Sequence, residues 1–173
     1  MLAMVTLRLT KKLQKLLDID LTEQLEPTTG NLGDWYANLV PTYAGDLIVF
    51  VNETTLLSVA IPIWESDHLL LLFRLRVGSL LGMIGIQSKA IENELRHYDH
   101  IQFGRTASRR IVGSMNDIAW QYQGMAEDAT IKKDLSLSEA ELKLSQMPCK
   151  PIGYRFPCDI AKELLESQAK NAS

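Results

Sequence analysis

The run Asp46-Leu-Ile-Val-Phe-Val-Asn-Glu-Thr-Thr-Leu-Leu-Ser-Val-Ala-Ile-Pro62 decides the fold class of this chain. Asp46–Val51 and Thr55–Ile61 are apolar and rich in β-branched residues, and Asn52-Glu53-Thr54 between them suits a turn, so the pair reads as a β-hairpin. Pro62 has no N–H to give to a sheet ladder and ends the second strand. Beyond it the pattern changes period. Leu70, Phe73, Val77, Leu80, Leu81 and Ile84 recur at three- and four-residue steps, which predicts helix from about Ser66 onward. A strand pattern that gives way to a helix pattern in one continuous segment points to an α+β domain.

Working outward, Val5–Leu9 alternates and reads as a short strand, followed by Thr10 as the cap of a helix with Leu13, Leu16 and Leu17 inward. Glu26–Gly33 is a loop by composition, and Asp34–Val40 fits either a strand or a helical turn. The segment 66–96 reads as two helices, the second from Ser88, with Gly85 marking the break. Gly78, Gly82 and Gly85 share one side, a pattern that expects another backbone packed close by. After an extended piece at Ile101–Phe103 comes a helix from about Ser108 to Ala126, with core stripe Ile111, Met115, Ile118, Ala119, Tyr122 and Met125. Glu127–Leu137 reads as a loop, Ser138–Glu141 as a capping box, and Asp159–Gln168 as a closing helix. The expectation is one domain over residues 1–173, a short and mainly antiparallel sheet packed against several helices, with the last few residues frayed.

Composition narrows the function classes. With 18 Lys plus Arg against 21 Asp plus Glu, the chain lacks the broad basic face of a non-specific DNA binder, though a local basic patch fits. Cys149 and Cys158 match neither a disulfide framework nor a zinc motif, and two free thiols suit a reducing cytoplasm. Leu69–Ile86 has membrane length, but Arg74 and Arg76 inside it favour a buried helix, so no membrane role is expected.

The densest polar chemistry is Arg105-Thr-Ala-Ser-Arg-Arg-Ile-Val-Gly-Ser-Met-Asn-Asp-Ile-Ala-Trp120. With Ser108 as cap, Arg109 and Arg110 fall in a helix's first turn, where free N–H groups and the positive dipole end attract anions. Arg109, Gly113, Asn116 and Trp120 share a face beside the core stripe. The pattern yields a candidate ligand site of Arg105, Arg109, Arg110, Asn116 and Asp117; its structural alternative is capping and ion pairing. Asp34, Trp35 and Asn38 form a second cluster, either an aromatic platform for stacking a base or sugar or a core tryptophan beside a turn asparagine. His97 and His100 lack a third ligand at helical spacing, so no metal is expected, and no cofactor loop, nucleophile elbow or metalloprotease motif occurs.

Leu32-Gly-Asp-Trp-Tyr-Ala-Asn-Leu39, Glu53-Thr-Thr-Leu-Leu57, Gly104-Arg-Thr106, Arg110-Ile-Val-Gly-Ser-Met-Asn-Asp117 and Pro148-Cys-Lys-Pro-Ile-Gly-Tyr-Arg-Phe-Pro157 together resemble a family of short bacterial proteins classed as a domain of unknown function. The chain departs from that pattern at Ser108-Arg109, where an Asn is expected. The resemblance implies a bacterial cytoplasmic protein and draws attention to Trp35, Asn38, Arg110, Asn116 and Asp117. It implies no reaction. The expected function is a non-enzymatic binding module for a protein or for an anionic or nucleic-acid ligand, centred on residues 105–120. The alternatives are an enzyme acting on a phosphate-containing substrate, with Asp34, Asp117 or Glu53 as acids or metal ligands, and a structural homodimer.

Overall fold

Alternating apolar residues build a five-stranded sheet that separates two cores. The computed structural model describes residues 2–132 and 136–171. The strands are β1 (Val5–Leu9), β2 (Trp35–Val40), β3 (Leu47–Asn52), β4 (Ser58–Pro62) and β5 (Ile101–Arg105), in the order β4-β3-β2-β1-β5. The predicted hairpin is present as the antiparallel pair β3–β4, and β2 extends it antiparallel to β3. The ambiguous 34–40 segment is therefore strand. β1 lies parallel to both β2 and β5, with Leu9 level with Ala37 and Arg105. The sheet is mixed and mostly antiparallel, and the class is α+β.

Val5, Leu7, Leu9, Trp35, Ala37, Ile48, Phe50, Val59 and Ile61 face one core. It is covered by α1 (Lys11–Leu17), α2 (Leu69–Met83), α3 (Ser88–Leu95) and α6 (Pro157–Asn171). Tyr36, Val40, Val49, Val51 and Ala60 face the other, covered by α4 (Arg109–Lys132) and α5 (Leu137–Ser145). Such burial, at about 25 cal/mol per Å² of apolar surface, is the main stabilising term. Ile111, Met115, Ile118 and Tyr122 of the predicted α4 stripe are buried, while Ala119 and Met125 are partly so.

Local signals were mostly placed correctly, with three differences. α4 runs to Lys132 through the stretch expected as loop, and residues 133–135 lie outside the described ones, as do 172 and 173, where fraying was expected. The capping box of α5 uses Ser136 and Glu139, two residues earlier than Ser138 and Glu141. Glu141 is not a cap because it is buried, drawn inward by partners described below. The glycines of α2 do not share one close contact. A Cβ at Gly78 would meet the Leu95 side chain of α3 at 2.8 Å, nothing lies within 4 Å of one at Gly82, and Gly85 (φ +90°) ends the helix.

Both sheet edges are closed by side chains. At β4 the Glu141 carboxylate accepts from the Ala60 N–H (2.9 Å) and from Arg76 Nε and Nη2 (2.8 and 2.5 Å). At β5 Thr22 accepts from the Phe103 N–H through its hydroxyl (3.1 Å) and donates its own N–H to the Phe103 carbonyl (2.9 Å). Satisfied edge groups leave little template for a foreign strand. Burial pushes the Glu141 carboxyl up to about 7 even though Arg76 and the Ala60 N–H favour its charged form. Among the described residues, no helix is long and apolar enough to cross a membrane.

Candidate functional site

Over β2–β3–β4 the second face of the sheet is apolar. Over β1 and β5 it is polar, because Thr6, Arg8, Gln102 and Gly104 alternate with the buried apolar residues of those strands. The irregular segment 18–34, not a helix, covers this polar half. Gln102 Nε2 donates to Thr6 Oγ1 (2.8 Å) and to the Glu26 carbonyl (2.5 Å), and its Oε1 accepts from the Glu26 N–H. Thr28 Oγ1 donates to Asp34 Oδ1, and Arg8 Nε donates to Asp34 Oδ2 at 2.6 Å. Gly104 makes room for this: a Cβ there would sit 2.9 Å from Leu25 Cδ1 and 3.4 Å from Arg8 Nη1.

Arg8 lies at the seam between that loop and α4. Its Nη1 donates to the Arg105 carbonyl (3.0 Å), tying the end of β5 to β1. Asp34 in turn gives its N–H to Glu53 Oε1 (3.1 Å). Burial pushes the Glu53 carboxyl up, opposed by that backbone bond and by Arg8 and Arg110, while the Asp34 charge adds to the rise. Arg8, Asp34 and Glu53 are therefore linked along the seam by hydrogen bonds. Thr10 borders it, accepting from the Leu13 N–H as predicted for a cap and donating to Asn38 Oδ1 (3.0 Å).

The residues predicted from the 105–120 stretch surround the seam without closing over it. Ser108 caps α4 by accepting from the Ile111 N–H (3.4 Å). Arg105, Arg109 and Arg110 are exposed, and none of them is ion-paired among the described residues, whereas Arg8, Arg74, Arg76 and Arg155 each hold a carboxylate. Asn116 is exposed, and a Cβ at Gly113 would meet nothing within 4 Å. The face shared by Arg109, Gly113, Asn116 and Trp120 thus points to solvent and not into a pocket. Asp117 is exposed on another side of the helix, where it borders a groove of about 190 Å³ with Leu56, Ser114, Cys149 and Lys150.

Trp35 is not a stacking platform. It has no solvent exposure, packs edge-on against Phe73 and donates its Nε1–H to Tyr98 Oη at 2.7 Å. Of the two readings of this cluster the core tryptophan is the one observed, because a tryptophan in a strand that alternates this way faces the core. Asn38 faces the opposite side, with its carbonyl held by Thr10.

A family model describing a domain of unknown function, DUF6933, matches residues 6–160. The chain belongs to that family. No curated protein and no solved structure matches it. The DUF6933 match takes in both the seam and the groove beside Cys149.

Several residues organise this region of the DUF6933 chain through partners distant in sequence, which no local pattern indicates. Asn52, fully buried at the hairpin turn, donates to the Leu32 and Asp34 carbonyls and accepts from the Thr54 and Thr55 N–H groups and the Thr55 hydroxyl. It holds a turn in which Leu56 adopts φ +61°, a region that bulky side chains rarely enter. Glu94, also fully buried, accepts from the Asn31 and Leu32 N–H groups (2.8 and 3.2 Å), and burial pushes its carboxyl up. His97 Nδ1 shares a 2.6 Å hydrogen bond with Thr29 Oγ1. Among the described residues, no group of three or more His, Cys, Asp or Glu is placed to hold a metal. Burial pushes the thiols of Cys149 and Cys158 up, away from the reactive thiolate form.

Proposed function

We propose that this protein is a non-enzymatic binding module whose ligand is anionic and meets the chain at the seam between β1, β5 and the start of α4. The observation that carries the reading is the concentration of three exposed, unpaired arginines within residues 105–110 of a chain whose net charge is −3. Of the other arginines, Arg8, Arg74, Arg76 and Arg155 each pair with a carboxylate, and Arg96 stands exposed without one among the described residues. Exposed guanidinium groups beside a helix N-terminus offer bidentate donors and a favourable dipole to phosphate or carboxylate oxygens. Asn38, held by Thr10, supplies a neutral polar group at the seam's border, Asn116 lies two turns further along α4, and Arg8, already committed to Asp34, positions the Arg105 backbone. Free thiols and the family resemblance favour a bacterial cytoplasmic setting.

Titration calorimetry with pyrophosphate, and fluorescence anisotropy with a labelled single-stranded oligonucleotide, test this reading at low and moderate salt. Binding that weakens with salt and drops at least about tenfold in Arg105→Ala/Arg109→Ala is expected. Absence of binding by both probes at low salt sinks it.

One arrangement favours a second reading, an enzyme acting on a phosphate-containing substrate. Of the three acids considered, Asp34 and Glu53 meet, while Asp117 lies in a different groove. Both Asp34 oxygens are occupied, so Glu53 is the acid with an oxygen to offer. A thermal shift without stabilisation by millimolar Mg²⁺ or Mn²⁺ removes the metal-dependent version of this reading.

A further inference from the structure

The other end of α4 carries a groove of opposite character. About 480 Å³ in volume, it is lined by Pro41, Thr42, Tyr43, Trp120, Gln123, Gly124 and Glu127. Tyr43 is 83% exposed and Trp120 71%, so two large aromatic rings stand open at its walls. A Cβ at Gly124 would meet nothing within 4 Å, which leaves the helix side of the groove unobstructed.

Two of the polar groups lining it are already partnered. Gln123 Nε2 gives one of its two hydrogens to the Pro41 carbonyl (2.9 Å), leaving the second hydrogen and the Oε1 acceptor. The Thr42 hydroxyl donates to the Gly45 carbonyl (2.5 Å), so it too can only accept. Glu127 is exposed and, among the described residues, is the sole charged one of the lining. The groove therefore offers acceptors, one negative charge and two aromatic faces, beside donors on Gln123, Trp120 and Tyr43. The complement is a planar, donor-rich cation. A guanidinium stacks on an aromatic face, carries five N–H donors and is weakly hydrated, whereas an ammonium is compact and holds its water.

We infer that this groove docks an arginine side chain from an extended, basic segment of a partner protein, the guanidinium lying on Trp120 or Tyr43 and hydrogen-bonded to Glu127 and Gln123. The surface shares none of the arginines of the anion-binding reading, so the two are tested separately. The test is a titration of ¹⁵N-labelled protein with a short blocked Gly-Arg-Gly-Arg-Gly peptide, with the matching lysine peptide beside it. A saturable shift of the Trp120 indole N–H is expected, with the buried Trp35 indole unmoved. Affinity falls roughly tenfold in Trp120→Ala and several-fold in Glu127→Gln, the scale of a cation–π contact and a screened charge pair. Both positions are exposed, so the variants keep the parent melting temperature. Equal binding of the lysine peptide, equal binding by Trp120→Ala, or no shift at all overturns the assignment. So does concentration-dependent self-association of the parent that Trp120→Ala abolishes, because the occupant would then be a second copy of this chain.

Discussion

The segment 18–34 and the outer face of α4 reverse the usual relation between regularity and attachment. The segment has no regular structure, yet Gln102, Thr6, Arg8, Glu94, Asn52 and Glu53 grip it through buried or half-buried hydrogen bonds. The outer face of α4 is regular and dense in polar residues, yet Arg109 and Asn116 are exposed on it. A loop that crosses a sheet must satisfy its backbone polar groups from side chains, since it has no ladder of its own. A helix satisfies its backbone internally and leaves its outer side chains available for something else. Polar density along the sequence is thus a poor guide to structural importance here, and burial of the hydrogen-bonded partner is a good one.

The comparison breaks most decisively at Asn52. Asn52→Ala strips the partners from several buried backbone groups and from the strained Leu56 turn, at an expected cost of about 4 kcal/mol. Chemical denaturation giving less than about 1 kcal/mol would falsify the clamp. Next comes Glu94→Ala, which orphans the Asn31 and Leu32 N–H groups for an expected loss of about 3 kcal/mol, read as a lower melting temperature.

Glu141 sharpens the comparison, because it sits on a helix and is nevertheless buried and clamped. Its folded-state carboxyl is raised to about 7 from an ordinary 4.5. The folded chain thus holds its proton more tightly than the unfolded one. The associated stability is fully present below about 4.5 and disappears as pH rises through about 7. Melting temperatures of the parent should decline across that window relative to Glu141→Gln, and parallel pH profiles would show that burial is not what shifts the group.

Smaller effects follow on the seam and the open face. A double-mutant cycle on Arg8→Ala and Asp34→Ala should return a coupling of about 1 kcal/mol, as befits a partly exposed pair. Asn116→Ala should change stability by less than about 0.5 kcal/mol, because its side chain is exposed. A drop of several degrees there would make that face scaffold and remove Asn116 from any binding site.

What could be read locally was read well. The hairpin, the Thr10 and Ser108 caps and the α4 stripe each depend on neighbours within a few residues, and the structure has all of them. The capping box slipped by two residues, since Ser136 and Ser138 both precede a glutamate three positions on, and only the burial of Glu141 separates them. Trp35 stood open between platform and core because an ambiguous segment hid its period, and the ladder with β1 and β3 resolved it in favour of the core. Of the candidate site, the three arginines were legible as a cluster, but not their exposure or their distance from Asp117.

From the sequence by itself come the α+β class, the periodic core residues and the kinship with a domain of unknown function. Those rest on short-range steric and hydrophobic patterns that the chain writes in consecutive residues. The tertiary structure alone decided which polar groups are bound and which are free. Arg8 and Asp34 are 26 positions apart, Glu94 and Asn31 63, Glu141 and Ala60 81. A buried hydrogen bond gains its worth from the loss of water around both partners, and only the folded chain brings such distant groups out of water together.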